Sequence, residues 1–220
     1  LRTLGAAPDE GPKVLQRSGE IGNADLARVE GAGGLGQRIW ARVHGDRLKL
    51  QYSASVAVTR PEVQLAPLAQ MPWHSLSRDV VTYLRPSRFC QSDLFMSFVG
   101  QQFGDLRGGA RIAAIVDWVA GQLAYVPGSS NAETTAIDTF VTRAGVCRDF
   151  AHLVCSLARA SNIPARYVSA YGADVTPPDF HAVAQVWLDG GWHLVDATGM
   201  SAAPALVVIG AGRDAGDVAF

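Results

Sequence analysis

Ala144-Gly145-Val146-Cys147-Arg148-Asp149-Phe150-Ala151-His152-Leu153 carries a turn residue, then a thiol, then the start of an apolar repeat. Cys147, Phe150, Ala151, Val154, Cys155 and Ala158 recur at the i, i+3, i+4, i+7, i+8 spacing of one buried helix face. Gly145 tolerates backbone angles that other residues resist, so it suits the exit from one helix and the entry to the next. The spacing therefore predicts a helix with Cys147 on its first turn. Unpaired N–H groups at a helix start favour negative charge, and the thiolate is the nucleophilic form of cysteine. Taken alone, Cys147 still reads better as an inert core residue, because free cysteine is among the most buried residue types.

The downstream sequence reverses that balance. His181 lies in Pro-Asp-Phe-His-Ala-Val-Ala-Gln-Val-Trp-Leu, and Asp196 lies in Gly-Gly-Trp-His-Leu-Val-Asp-Ala-Thr. Both segments read as strands, and Asp189-Gly190-Gly191 between them is a hairpin signal. Antiparallel pairing of 182–188 with 192–195 about a tip near Gly190 brings His181 and Asp196 close across the ladder. A thiol needs a base to take its proton and later return it to a leaving amine, and imidazole titrates nearest neutral pH. The imidazole in turn needs a carboxylate to fix its tautomer and stabilise its cation. Cys147, His181 and Asp196 are together the candidate catalytic set. Asp179 is the alternative orienter, although it would lie along the same strand as His181.

At this point the chain resembles the transglutaminase-like superfamily, and in particular its bacterial members grouped with cysteine proteases. The likeness rests on Tyr125-Val126-Pro127-Gly128-Ser129-Ser130, Thr134-Thr135-Ala136, Gly145 to Leu153, Ile163-Pro164-Ala165-Arg166-Tyr167-Val168, Asp179-Phe180-His181-Ala182 and Val195-Asp196-Ala197-Thr198. Tyr83 to Cys90 and Gly212-Arg213-Asp214-Ala215 extend it, so that it covers about residues 80 to 220. The resemblance implies a papain-like core with a Cys147 nucleophile, a His181 base and an Asp196 orienter. One departure stands out: such proteins often carry an aromatic residue two places after the histidine, where this chain has Val183.

Composition bounds the alternatives. At 220 residues and 48% hydrophobic content the chain can bury an ordinary core. A formal net charge of −1 gives no basis for a nucleic-acid or anionic-membrane surface. No apolar run approaches the roughly 20 residues that span a bilayer. Neither a secretory signal nor a targeting motif is visible, and the chain opens on Leu1, which leaves room for a preceding segment that carried one. The three cysteines, Cys90, Cys147 and Cys155, show no disulfide-framework spacing, which points to a reducing compartment and a cytoplasmic location. Cys147 and Cys155 stand about 12 Å apart along a helix, beyond disulfide reach. Cys155 and Cys90 both read as structural. No zinc spacing and no calcium-type acidic loop occurs, so no metal and no cofactor is expected.

The chain divides into an N-terminal β-strand domain over 1–78, whose first strands are expected to be missing, and a catalytic core over 79–220. Asp9-Glu10-Gly11-Pro12 and Gly31-Ala32-Gly33-Gly34 mark turns. Leu48, Leu50, Tyr52, Ala54, Val56 and Val58 alternate with mostly polar residues, which predicts a half-buried strand paired with 38–43 through His44-Gly45-Asp46. Ala66 to Ser77 reads as the linker. Beyond it, Arg111 to Leu123 is helical, Thr135 and Asp138 form a capping-box signal for a helix to Arg143, and strands follow at 165–170, 182–188, 192–196 and 205–209. Helices first and antiparallel strands afterwards make the class α+β, helices packed on a sheet.

Other polar residues read as structural. His152 is turned about 140° from Cys147 on the helix. Asp149 suits a capping role, His193 sits exposed on the hairpin, and Trp118, Trp187 and Trp192 belong to the core. The expected function is a thiol enzyme that cleaves or exchanges an amide or peptide bond through a Cys147 thioester, as a protease, an amidase or a transglutaminase-like acyltransferase. Its partner would be a protein, peptide or small amide. The rivals are an arylamine-acetyltransferase type of enzyme and an inactive domain kept for binding or as a scaffold.

Overall fold

The structure is a computed structural model that describes residues 13–31, 35 and 37–218. The turn signals at 9–12 and 32–34 lie outside those residues. Strands β1 (Lys13–Gly22), β2 (Ala24–Glu30), β3 (Gln37–Val43) and β4 (Lys49–Ala57) come first. Helices α1 (Arg78–Val81), α2 (Met96–Phe103) and α3 (Gly108–Gln122), the short strand β5 (Ala124–Tyr125), α4 (Ala136–Thr142), β6 (Ala144–Gly145) and α5 (Cys147–Ala160) follow. Strands β7 (Ala165–Gly172), β8 (Phe180–Leu188), β9 (Gly191–Val195) and β10 (Leu206–Gly212) close the chain as a sheet of order β10-β7-β8-β9, antiparallel throughout.

The β8–β9 connection is the two-residue loop Asp189-Gly190, both at positive φ (51° and 79°). This is the geometry that matches the twist of paired strands. It sets the register Leu188↔Gly191 through Ala184↔Val195. Extended along the strands, that register makes His181 and Asp196 diagonal neighbours on one face, within reach of their side chains.

Helix α5 packs against this sheet and is buried nearly all round, not along one face. Asp149, His152, Ser156 and Arg159 are as enclosed as Leu153, Val154 and Leu157. Burial of each such leucine contributes about 1.5–3 kcal/mol. The sequence spacing missed the second face because that face is polar and, His152 Nδ1 apart, bonded internally. Ser156 Oγ donates to the His152 carbonyl (2.8 Å), and Arg159 donates to the carbonyls of Ala165 (2.9 Å), Arg85 (3.3 Å) and Arg213 and to Ser87 Oγ (3.1 Å). Leu65, Leu68, Phe98, Trp118, Ile137 and Phe140 pack against the same core, partly buried.

The entry to α5 differs from the expectation for Gly145. The left-handed residue is Arg143 (φ 58°), which caps α4, whereas Gly145 lies in β6 outside the left-handed region. Glycine is required there for space: a Cβ would lie 2.7 Å from Asp149 Cβ. The Thr135–Asp138 box does cap α4, with Thr135 N–H donating to Asp138 (2.9 Å) and Asp138 N–H to Thr135 Oγ1 (3.4 Å).

The N-terminal strands depart from the predicted pairing. β4 pairs with β1 and β3 with β2, so the four strands run as one long two-stranded ribbon interrupted near Asn23 and His44. Residues 44–48 form an offset between β3 and β4, bridged by the His44 N–H bond to the Asn23 carbonyl (2.8 Å). Nor is β4 half-buried: Leu50 and Tyr52 are 61% and 66% exposed. A two-stranded ribbon has no second layer, and none of the described residues supplies one.

The stretch read as a linker is docked along the core. The Gly109 and Asp189 N–H groups donate to the Leu68 and Ala69 carbonyls (both 2.8 Å), and Gln70 Nε2 donates to the Asn162 carbonyl (3.0 Å). Prolines made it irregular, which does not make it loose. Its own carbonyls are used by the core.

Candidate active site

Cys147 opens α5, half-buried, and packs with Ala151, Tyr167, Ala182, Ala215 and Val218. Its place is fixed by the parallel pair β5–β6, where Tyr125 faces Gly145, and by Asp149, whose carboxylate accepts the Val146 N–H at 2.8 Å. Asp149 is thus a capping group of the helix that presents the thiol. Arg148 pairs with Asp149 (3.3 Å) and reaches the Asn131 carbonyl, tying the loop before α4 to the helix start.

His181, 1% exposed, holds Asp196 at 2.7 Å through Nε2, and the Cys147 thiol lies near enough to act on the pKa of its ring. Asp196 is itself held: its Oδ1 accepts from the Thr198 N–H (2.9 Å) and hydroxyl (2.7 Å), and its Oδ2 accepts from the Ser201 N–H (3.3 Å). Burial disfavours the His181 cation, but the bonds to Asp196 and Cys147 and their charges outweigh it, raising the imidazole from 6.5 to about 9. Burial likewise opposes ionisation of Asp196, and the bonds from His181 and Thr198 overcome it, holding the carboxyl below its ordinary value.

This has a measurable consequence for stability. A histidine whose pKa rises on folding contributes stability that is complete below its unfolded value and is lost as pH climbs through the folded one. Here the window runs from 6.5 to about 9, and the rise corresponds to roughly 3 kcal/mol. Urea melts of the wild type are expected to lose most of that increment between pH 6 and 10. Asp196→Asn is expected to flatten the dependence, and equal slopes for the two proteins would contradict this origin of the shift.

The structure therefore brings Cys147, His181 and Asp196 together. It does not bring Asp179 to His181: that carboxylate accepts its neighbour's Phe180 N–H at 2.7 Å. His152 stands apart from the thiol, stacked on Phe89 (5.3 Å) and accepting the Ala215 N–H (3.1 Å), and burial lowers its pKa to about 3. His193 is not fully exposed; its Nε2 bonds the Leu188 carbonyl at 3.0 Å. Cys90 and Cys155 are wholly buried, and burial pushes the Cys155 thiol up.

A model of the transglutaminase-like superfamily matches residues 99–197. The crystal structure of a candidate cysteine protease from Cytophaga hutchinsonii is 34% identical, superposes with a TM-score of 0.83, and is matched over 96% of this chain and 74% of its own. The chain belongs to the transglutaminase-like superfamily. An uncharacterised Mycobacterium leprae protein is 29% identical over 146 residues, 62% of this chain and 52% of its own length. One from Mycobacterium tuberculosis is 34% identical over 109 residues, 43% of this chain and 35% of its own. The chain thus spans about half of the first of these relatives and a third of the second.

Within this transglutaminase-like site, two features were not identified from the sequence. Thr198 anchors Asp196, and its signal was the Asp-x-Thr spacing that lets a carboxylate bond the backbone two residues on. Arg159 was passed over because a charged residue on a helix usually points to solvent. Val183, the departure from the usual aromatic, is buried with Val168, Ala170, Leu194, Leu206 and Val208. By the register it lies on the face that carries His181 and Asp196, beneath them in this apolar cluster. No group of three or more metal-ligating His, Cys, Asp or Glu residues occurs among the described residues, and no described helix is long and apolar enough to cross a membrane.

Proposed function

We propose that the protein is a thiol amidohydrolase, a cysteine protease or peptide amidase, in which Cys147 attacks the carbonyl, His181 moves the proton and Asp196 orients His181. The observation that carries this reading is the 2.7 Å His181–Asp196 contact with the same imidazole in reach of a thiol at a helix start. The Cys147 sulfur bonds the carbonyl carbon and the π electron pair moves to oxygen. Collapse of that species expels the amine, which takes its proton from His181, and leaves a thioester. Water, deprotonated by His181, then releases the acid and restores the thiol.

Hydrolysis is favoured over transamidation because water can reach the thioester. The rim beside the nucleophile carries the partly exposed Tyr125 and Val126 on one side and the stacked pair Tyr171–Phe180 (4.8 Å) on the other. The likeness to the Cytophaga hutchinsonii candidate protease supports the same choice.

The test is a peptide library that includes glutaminyl peptides, scored for new amino termini and for ammonia, with and without a dansylated amine. Wild-type protein is expected to release new termini or ammonia, with little amine incorporated, and Cys147→Ala to be inert. Turnover that survives in Cys147→Ala would remove the nucleophile assignment. Amine incorporation as the main product would transfer the reading to acyl exchange.

A further inference from the structure

We propose that the open edge of β9 is a second peptide-binding site, which takes an extended, uncharged, apolar segment of a partner protein as an added strand. β9 ends the sheet order β10-β7-β8-β9, so one of its edges has no neighbouring strand. The two-residue loop at Asp189-Gly190 makes Leu188↔Gly191 a hydrogen-bonded pair, and alternation makes Val186↔His193 and Ala184↔Val195 the next ones. Trp187 obeys the same parity: its N–H turns away from β9 and donates to the Pro164 carbonyl (2.8 Å). The N–H and C=O groups of Trp192 and Leu194 therefore turn outward from β8, and no main-chain partner meets them among the described residues.

Gly191 to Asp196 and the segment 59–63 together line a groove of about 650 Å³, a size within the range of ligand sites. The segment is held on both sides of the groove. Arg60 donates to the Ala203 and Leu206 carbonyls (2.8 and 3.0 Å), and Leu65 packs on the core. Between these anchors no main-chain hydrogen bond joins it to β9 among the described residues. A loop laid over a sheet edge ordinarily blocks it. Here the loop stands off by the width of the groove, which admits one chain and keeps the sheet of a second copy from abutting. Val63, Val116, Leu194, Pro204 and Leu206 give the groove apolar walls. Arg60 and Glu62 bring opposite charges, and the Asp196 carboxylate is met by His181, so the groove has no net charge and suits a neutral segment. Main-chain bonds to the edge would supply affinity and the apolar walls selectivity. Cys147 and His181 do not line the groove, so this site stands whether or not Cys147 is the nucleophile.

The probe is the neutral peptide acetyl-Val-Thr-Val-Thr-Val-amide, titrated by calorimetry into wild-type protein and into protein whose Cys147 has been alkylated with iodoacetamide. Saturable binding with one peptide per chain and equal affinity in the two forms is expected. The same peptide N-methylated at every amide keeps its side chains and loses its donors. It is expected to bind about tenfold more weakly or worse, as for the loss of two hydrogen bonds. Val63, 40% exposed, lines the groove from the segment 59–63, so Val63→Trp fills the groove from an open position. That variant is expected to lose about tenfold or more in affinity with an unchanged thermal melt.

Equal affinity for the methylated and unmethylated peptides would overturn the proposal, and so would the absence of saturable binding. Binding that alkylation of Cys147 abolishes and Val63→Trp leaves intact would put the peptide in the catalytic cleft instead. A wild-type dimer in sedimentation that Val63→Trp dissociates would give the groove to a second copy and likewise overturn it. Should Val63→Trp melt early, the methylated peptide on wild-type protein still decides.

Discussion

His181→Ala is expected to lower peptide turnover about 10³-fold or more and to slow alkylation of Cys147 at neutral pH. The imidazole is held by the buried Asp196 carboxylate, 2.7 Å away, and the Cys147 thiol adds to the rise of its pKa. Without it, the thiol loses the base that takes its proton, and the leaving amine loses its proton donor. Asp196 keeps its bonds from Thr198 and Ser201, so the variant should remain folded. Kinetic alkylation with peptide mapping, beside a circular dichroism melt, checks both statements. Unchanged alkylation and turnover in a folded variant would place the base elsewhere.

Arg159→Ala should destabilise the fold by ~3–5 kcal/mol. Arg159, 3% exposed, joins α5 to the Ala165 carbonyl at the start of β7, to the Arg85 carbonyl and Ser87 hydroxyl, and to the Arg213 carbonyl. These four acceptors belong to three chain segments, which the guanidinium joins at one point. Truncation would leave them without the donor and open a cavity at the end of the helix that carries Cys147. Lysine should rescue little, since one ammonium group cannot span what the guanidinium fork does. Urea midpoints of the three proteins measure this, and a loss below ~1 kcal/mol would show that water satisfies the acceptors.

The parts of the fold that were legible in the sequence are those set by near neighbours. The Thr135–Asp138 cap, the start of α5 at Cys147 and the Asp189-Gly190 turn each depend on a few consecutive residues, and each lies where the local pattern puts it. The turn then fixes the β8–β9 register, which is why His181 and Asp196 could be paired from their distances to the tip. Misreadings arose where the same local signal serves two structures. Alternation in β4 is the same for a strand on a core and a strand in an exposed ribbon, and irregular backbone at 66–77 is the same for a tether and a docked strap. Gly145 was correctly singled out for the wrong reason, because a close approach to Asp149 is a tertiary fact that φ preferences do not contain.

By itself, then, the sequence determined the candidate nucleophile at a helix start and the base and orienter on one hairpin, since spacing along helix and hairpin is nearly rigid. Only the tertiary structure decided that the hairpin lies against the start of α5, so that His181 and Cys147 act on each other across 33 residues of intervening chain. It also decided that Thr198 holds Asp196 and that Arg159 is a buried clasp. Those contacts join segments far apart in sequence, and their free energy comes from removing polar groups from water into partners that no local pattern specifies.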